Sequence, residues 1–326
     1  MNSDGFSLSV SCQAMFFSKI AFSLISIKTK ELVKSLNFVI KTLSVSIQNY
    51  NRPDRDCLRL TLVFDDEFND GAIEFEIYRS IYDERTPEDP LVSLDEVSEF
   101  VHCSSDLDGV EDTFTWENPR LSFTEWFKHF RYLLKFERSQ FDVCTGDEIF
   151  DTVAIRILLT EWTGVFIERA SCSYAEKILE LFSPCTEQFD TGTLRGFLTF
   201  PQKVGILNFD EISSHYPLKL DDLLILNAKD ISVHNFSISD ANRFFKFWTK
   251  GFNPRMKTLY MSLTEEGREE NLFKGISHQT MPQDFERMKG NRVIKGGIDI
   301  RSKKGILATI EISHVFSPII TMQVWD

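Results

Sequence analysis

One stretch constrains the chain more than any other: from Ser239 to Leu263 it reads SDANRFFKFWTKGFNPRMKTLYMSL. Ala241, Phe244, Phe245 and Trp248 follow the i, i+3, i+4, i+7 spacing of a single helix face. Ser239 is expected to cap the helix, because its hydroxyl can accept from a first-turn amide, and Asp240 suits the positive end of the helix dipole. Lys246 and Lys250 suit the negative end, Gly251 can take the left-handed conformation that stops a helix, and Asn253-Pro254 blocks resumption. Leu259, Met261 and Leu263 then alternate with Thr258, Tyr260 and Ser262, as in a strand with one buried face. The stretch is one capped helix, one sharp turn and one strand, which is architecture and not chemistry.

The remaining sequence can supply the core such an element needs. A length of 326 residues with 42% apolar and 13% aromatic content allows one large or two ordinary globular domains. The 30 Phe are spread at helical or strand spacing and read as core filler. A net charge of -13 argues against nucleic acid as a partner and against an anionic membrane surface, since both require clustered cations. Cys12, Cys57, Cys103, Cys144, Cys172 and Cys185 are sparse and show no close spacing, so free thiols in a reducing compartment are expected. No apolar run approaches the roughly 20 residues that span a bilayer. The segment Met15 to Ile27 is interrupted by Lys19 and lacks the flanks of a signal peptide. The expected location is cytoplasmic or nuclear, not secreted.

Taken in order, residues 1–14 are polar and expected to be disordered. Residues 15–42 are expected to hold short helices, with Leu24, Ile25 and Ile27 leading into Leu32, Val33 and Leu36. Residues 43–120 read as strands and an acidic loop. Leu43–Gln48, Cys57–Phe64 and Ala72–Tyr78 form a small antiparallel meander, turned at Asn51–Asp54 and Asn69–Gly71. From Ser80 to Arg120 periodicity fades and carboxylates accumulate. Asp106, Asp108 and Asp112 lack the glycine and closing glutamate of a calcium loop, so a solvated acidic loop is expected.

From Ser122 onward helices and strands alternate. Ser122-x-x-Glu125 is a capping box, and helices are expected at Ser122–Phe136, Asp151–Trp162 and Ser173–Phe182. Strands at Gln140–Cys144, Val165–Glu168 and Glu187–Asp190 recur roughly 23 to 24 residues apart, within the range of leucine-rich repeats. Another strand is expected within Gly205–Asp210 and one over Leu220–Val233. Leu220, Leu223 and Ile225 carry a Leu-x-x-Leu-x-Leu spacing that Met256, Leu259 and Met261 repeat. The fold class is therefore α/β, with α+β as the alternative: irregular helix-strand repeats resembling a leucine-rich-repeat solenoid, or an ordinary sandwich with matching spacings. Beyond Leu263 come a helical piece near Glu269–Ile276, a segment at Met281–Met288 and a terminal hairpin turning at Ser302–Gly305, with a last strand at Ile319–Trp325.

Motifs of chemistry are lacking. The six His form no His-Glu-x-x-His or paired Cys/His cluster, and there is no nucleophile elbow or phosphate loop. Gly296-Gly297 precedes a strand, not a helix, and reads as a bulge or tight bend. No catalytic, cofactor or metal residue is assigned, and the chain is expected not to be an enzyme.

Two sets of residues carry a family resemblance. Ser23, Leu24, Ser26, Lys30, Leu32, Val33, Ser35 and Leu36 fit the later helices of an F-box. The front half, with its Leu-Pro signature, has no counterpart among Met1 to Ala14, so the F-box is expected to be truncated at its N-terminus. Asn242, Phe245, Trp248, Gly251, Asn253, Pro254, Arg255 and Met256 resemble the hallmark core of the F-box-associated domain (type 2) of the large nematode F-box family. In that core Ala241 and Met256 stand where leucines are usual. Gly296–Arg301, Lys304-Gly305, Ala308–Ile310 and Val324-Trp325 match its terminal strands, so the signature covers residues 214–326 and the domain would occupy 121–326.

The resemblance implies a substrate-recognition subunit of a cullin-based, SCF-type ubiquitin ligase acting in ubiquitin-dependent protein degradation. Leu24, Ile27, Leu32 and Leu36 would dock a Skp-type adaptor that links to the cullin scaffold, and the C-terminal domain would hold a target protein. A stand-alone protein-interaction module without ligase recruitment is the alternative. Asn242, Phe245, Trp248, Gly251, Asn253, Pro254 and Arg255 would be structural; Arg255 and the turn around Phe252 are the exposed candidates for target contact, with ending the helix the role favoured for both.

Overall fold

The computed structural model describes residues 18–21, 23–49, 56–63, 72–79, 90–107, 110–146, 148–159, 163–192, 207–215, 218–264, 269–290, 292–314 and 318–325. The expected disorder of 1–14 and the turns at 51–54 and 69–71 lie outside these residues, as does Asp108. The fold is mixed α/β, with seven α-helices among the described residues, and the chain divides into two compact units, Met1–Gly164 and Val165–Asp326.

In the first unit, α1 (Ile27–Ser35) precedes β1 (Val39–Asn49), β2 (Asp56–Val63), β3 (Ala72–Arg79), β4 (Phe100–Leu107), β5 (Val110–Glu117), α2 (Phe123–Leu133), β6 (Lys135–Cys144) and α3 (Thr152–Leu158). The strands lie in the order β6-β1-β2-β3-β4-β5. β1 runs parallel to β6, and β1 through β5 form an antiparallel meander. The meander thus extends two strands further than the sequence pattern indicates. The expected acidic loop contains the hairpin β4–β5, in which buried Val101 and Cys103 alternate with half-buried His102 and Ser104. That period-two signal is drowned in a window dominated by carboxylates.

α2 begins at the capping box read from sequence: the Glu125 amide donates to Ser122 Oγ at 3.3 Å, and the Ser122 amide donates to Glu125 Oε2 at 2.9 Å. Its Phe130 lies 4.8 Å, ring to ring, from Phe75 on β3. α3 is shorter than expected, ending at Leu158, with Asp151 as its cap.

The second unit takes up the chain in β7 (Gly164–Ile167). It continues through α4 (Cys172–Phe182), a 3-10 turn (Ser183–Cys185), β8 (Gln188–Thr191), β9 (Asn208–Ser214), α5 (Leu220–Ile225), β10 (Asn227–Phe236), α6 (Ile238–Thr249) and β11 (Thr258–Leu263). α7 (Glu269–Leu272), β12 (His278–Thr280), β13 (Glu286–Lys289), β14 (Arg292–Lys295), β15 (Ile298–Arg301), β16 (Leu307–His314) and β17 (Pro318–Val324) complete it. β8, β9, β10 and β11 are parallel neighbours in chain order. β11 then pairs antiparallel with β17, which leads through β16 and β15 to β12. One face of this sheet is apolar: Phe189, Ile212, Ile231, Leu259 and Ile320 are all fully buried.

Two expectations are corrected here. Leu220–Val233 is not one strand: Leu220 and Leu223, three apart, bury one side of the short helix α5, and the strand begins only at Asn227. α6 is capped by Ser237 and not Ser239, with Ser237 Oγ accepting from the Asp240 amide at 3.0 Å. Both serines are good caps, and the earlier one wins because Ile238 is then added to the buried stripe. The Met281–Met288 segment leads into a hairpin, β13–β14, that stands apart from the main sheet. At Gly296 and Gly297 φ is +64° and +87°. A Cβ on Gly297 would lie 2.7 Å from Thr309 Cγ2, so the bend there admits only glycine.

Candidate interaction surfaces

α1 starts with a local cap, Ser26 and Thr29 exchanging side-chain-to-amide hydrogen bonds at 2.9 and 3.2 Å. Only Val33 of the helix is buried. The helix is held largely by polar groups: Ser23, just ahead of it, lies 2.8 Å from His129 Nε2, and Tyr132 hydroxyl donates to Glu31. Lys34 Nζ and Lys30 Nζ sit 3.8 and 4.6 Å from the Tyr132 ring centre. Burial, reinforced by the Lys30 charge, pulls the His129 imidazole down to about 4. Of the four residues read as adaptor-facing, Ile27, Leu32 and Leu36 are 81%, 58% and 48% exposed, and Leu24 is half-buried. Ile25 and Val39 are exposed as well.

The signature residues of the second unit lie inside it. Asn242 Nδ2 donates to the carbonyls of Leu272 and Lys274 at 2.7 and 3.1 Å, pinning the segment after α7 to α6. Phe245 stacks on Phe273, and Trp248 is buried. Gly251 takes φ +101° and Asn253 φ +50°, giving the left-handed turn the sequence calls for. Asn253 Nδ2 donates to the carbonyls of Leu223 and Leu226 at 3.2 and 2.7 Å, so the turn also closes off α5. Pro254 is exposed. Arg255, read as an exposed candidate, is half-buried: Nη1 donates to the Asn227 carbonyl at 3.1 Å and Nη2 lies 3.6 Å from Asp210. Phe252 is exposed and meets Phe247 edge-on.

The opposite face of the same sheet is polar, and register places its residues in rows, because paired residues point to one side. Gln188, Glu211, Asp230 and Thr258 form one row on β8 to β11, continued by Gln323, Thr309 and Asp299. Two residues along, Asp190, Ser213, Ser232 and Tyr260 are followed by Thr321 and Glu311. Beyond these, the His215 and His234 rings stack 4.6 Å apart, and His234 Nδ1 lies 3.2 Å from Ser262 Oγ. Burial, then the neighbouring His215, lowers the His234 imidazole below its ordinary value. Burial raises the Asp190 carboxyl, against a hydrogen bond from Ser213 and the charge of His215, while Glu211 adds to the rise. Asp190 Oδ1 is shut off from solvent without a hydrogen-bond partner.

None of the carboxylates, His or Tyr residues of this face was singled out from the sequence. Period-two alternation marks Tyr260 and Ser262 as outward, but only the pairing register brings β8, β9 and β10 beside them.

The two ends of the face differ. At β15–β17 the hairpin β13–β14 covers it: Arg287 makes two 2.7 Å contacts to Asp299, with Nη1 also donating to Thr309 Oγ1, and Arg292 meets Glu311 at 2.8 Å. Arg287 also lies over the Phe285 and Trp325 rings. Burial alone would push Asp299 up, but the hydrogen bonds from Arg287 and Thr309 and the Arg287 charge hold it below the usual carboxylate value. At β8–β10, Glu211 and Asp230 are exposed, and no ion pair is found for them or for Asp190 among the described residues.

Among the described residues no three or more His, Cys, Asp or Glu are grouped to hold a metal ion, and no helix is long and apolar enough to cross a membrane. Cys103 is a free thiol, and burial, with Glu74 adding, pushes it far up.

These surfaces belong to a chain with a recognisable segment. A family model described as F-box associated matches residues 200–261, which include β9, α5, β10, α6 and all but the end of β11. The matched segment is thus similar to an F-box-associated domain and contains the aromatic helix and Gly-x-Asn-Pro turn. Searches of curated proteins and of solved structures give no match.

Proposed function

We propose that this protein is a non-catalytic substrate receptor of a cullin-based, SCF-type ubiquitin ligase, acting in the cytoplasm or nucleus. α1 would dock a Skp-type adaptor and the C-terminal unit would hold the target. The observation that carries this reading is the inverted helix α1, whose Ile27, Leu32 and Leu36 side chains face water beside a segment-wise F-box resemblance, in a chain whose residues 200–261 match the F-box-associated model. Parallel strands β8 to β11, neighbours in chain order, support a solenoid-like arrangement for the target-holding unit.

Co-purification of the full chain with a Skp-type adaptor tests it. Capture by the wild-type chain and its loss when Leu24, Ile27 and Leu32 become Asp is the expected result. No capture by the wild-type chain would favour the second reading, a stand-alone interaction module.

A further inference from the structure

The hairpin β13–β14 shows what the polar face of the second unit accepts. Two arginines on an extended, antiparallel pair lie across its rows, one bidentate on Asp299 and one on Glu311, with an aromatic ring beside the first. The same rows continue to β8–β10 with a second set of carboxylates, Asp230 and Glu211 in line with Asp299, and Asp190 in line with Glu311. Tyr260 and the stacked His215–His234 pair supply flat aromatic surfaces there. Chemically the two ends match, but at the β8–β10 end Lys229 and Arg255 go to Asp210, and no ion pair is found for Asp190, Glu211 or Asp230 among the described residues.

We propose that the open end, from Asp190 and Glu211 to Tyr260, docks an extended segment rich in arginine or lysine belonging to the captured protein. Its cations meet Asp190, Glu211 and Asp230 as Arg287 and Arg292 meet Asp299 and Glu311. An arginine fits best, since its planar guanidinium pairs with a carboxylate through two hydrogen bonds while lying on an aromatic face. Asp190 gains most, because the carboxylate that burial now disfavours would have a cation beside it. The inference rests on the C-terminal unit being the target-holding part and is independent of adaptor docking.

The test is fluorescence anisotropy of the full chain with a labelled peptide of alternating Arg and Thr, against a peptide of alternating Glu and Thr. The Arg peptide is expected to bind and the Glu peptide not. The isosteric triple variant Asp190→Asn/Glu211→Gln/Asp230→Asn is expected to weaken binding about tenfold or more, and Tyr260→Ala about threefold without any change of charge. A control that removes the same charge elsewhere, at exposed Glu137→Gln/Asp221→Asn/Asp284→Asn, is expected to bind as the wild-type chain does. If the triple variant does not fold, Asp230→Asn alone, at an exposed strand position, is expected to lose about threefold.

No binding of the Arg peptide, equal binding of the Glu peptide, or an equal loss in the control variant would each overturn the inference. If the adaptor is captured but the Arg peptide is not bound, this inference fails and the receptor reading stands. If the peptide binds but the adaptor is not captured, the ligase reading fails and this one stands.

Discussion

Helix α6 buries Ala241, Phe244, Phe245 and Trp248 and leaves Arg243 and Lys250 in water, whereas α1 turns Lys30, Lys34 and Glu31 toward Tyr132 and leaves Ile27, Leu32 and Leu36 exposed. Each buried aromatic of α6 contributes roughly 1.5–3 kcal/mol by leaving water, so that helix is stabilised by its own unit. Ile27, Leu32 and Leu36 of α1 make no such gain against the described residues. A helix that is easy to recognise because it is buried differs from one proposed to dock a partner because it is not, and the signature residues belong to the first kind.

Substitutions should separate the two helices in order of size. Trp248→Ala is expected to cost about 3–5 kcal/mol, read as a large fall in the thermal midpoint of the C-terminal unit; an unchanged midpoint would mean that the α6 stripe is not core. Next, Gly297→Ala forces a Cβ against Thr309 Cγ2 at φ +87° and should cost roughly 2–4 kcal/mol by urea denaturation. A loss below that range would show the β15–β16 seam to be yielding.

A smaller effect is expected at α1's anchor. His129 stays neutral in the folded chain down to about 4 against an ordinary 6.5, whereas the unfolded chain takes up a proton below 6.5. Stability from the neutral ring is therefore complete above 6.5 and lost as pH falls toward 4; the full shift corresponds to roughly 3 kcal/mol, which screening by solvent reduces to on the order of 1–2 kcal/mol. Comparing the wild-type chain with His129→Gln by tryptophan fluorescence in denaturant should show the slope flattened in the variant. The smallest effect belongs to Ile27→Asp and Leu32→Asp, expected within about 0.5 kcal/mol of the wild-type stability. A large destabilisation there would mean that α1's outer face is packed after all.

Much of the fold could be read locally. The capping box at Ser122–Glu125, the stripe of α6 and the turn at Gly251–Pro254 depend on residues within a few positions of one another, and each takes the expected form. Failures came where local signals compete or are masked: Leu220 and Leu223 satisfy a helix as well as a repeat spacing, and acidic residues hide the alternation of Val101 and Cys103. The polar face could not be read at all. Its rows join Asp190 to Glu311 and Glu211 to Asp299 through the register of successive strands, and no window of sequence contains a whole row.

The alternation along β10 and β11 has an evolutionary corollary. Ser232, Tyr260 and Ser262 lie half-buried on one side, while Ile231, Leu259 and Met261 fill the other. Side chains on the polar side can be exchanged without altering the volume that the apolar side must fill, so the chemistry of that surface can drift while the scaffold stays constant. An insertion inside β10 would do the reverse, exchanging inward and outward residues and losing both at once.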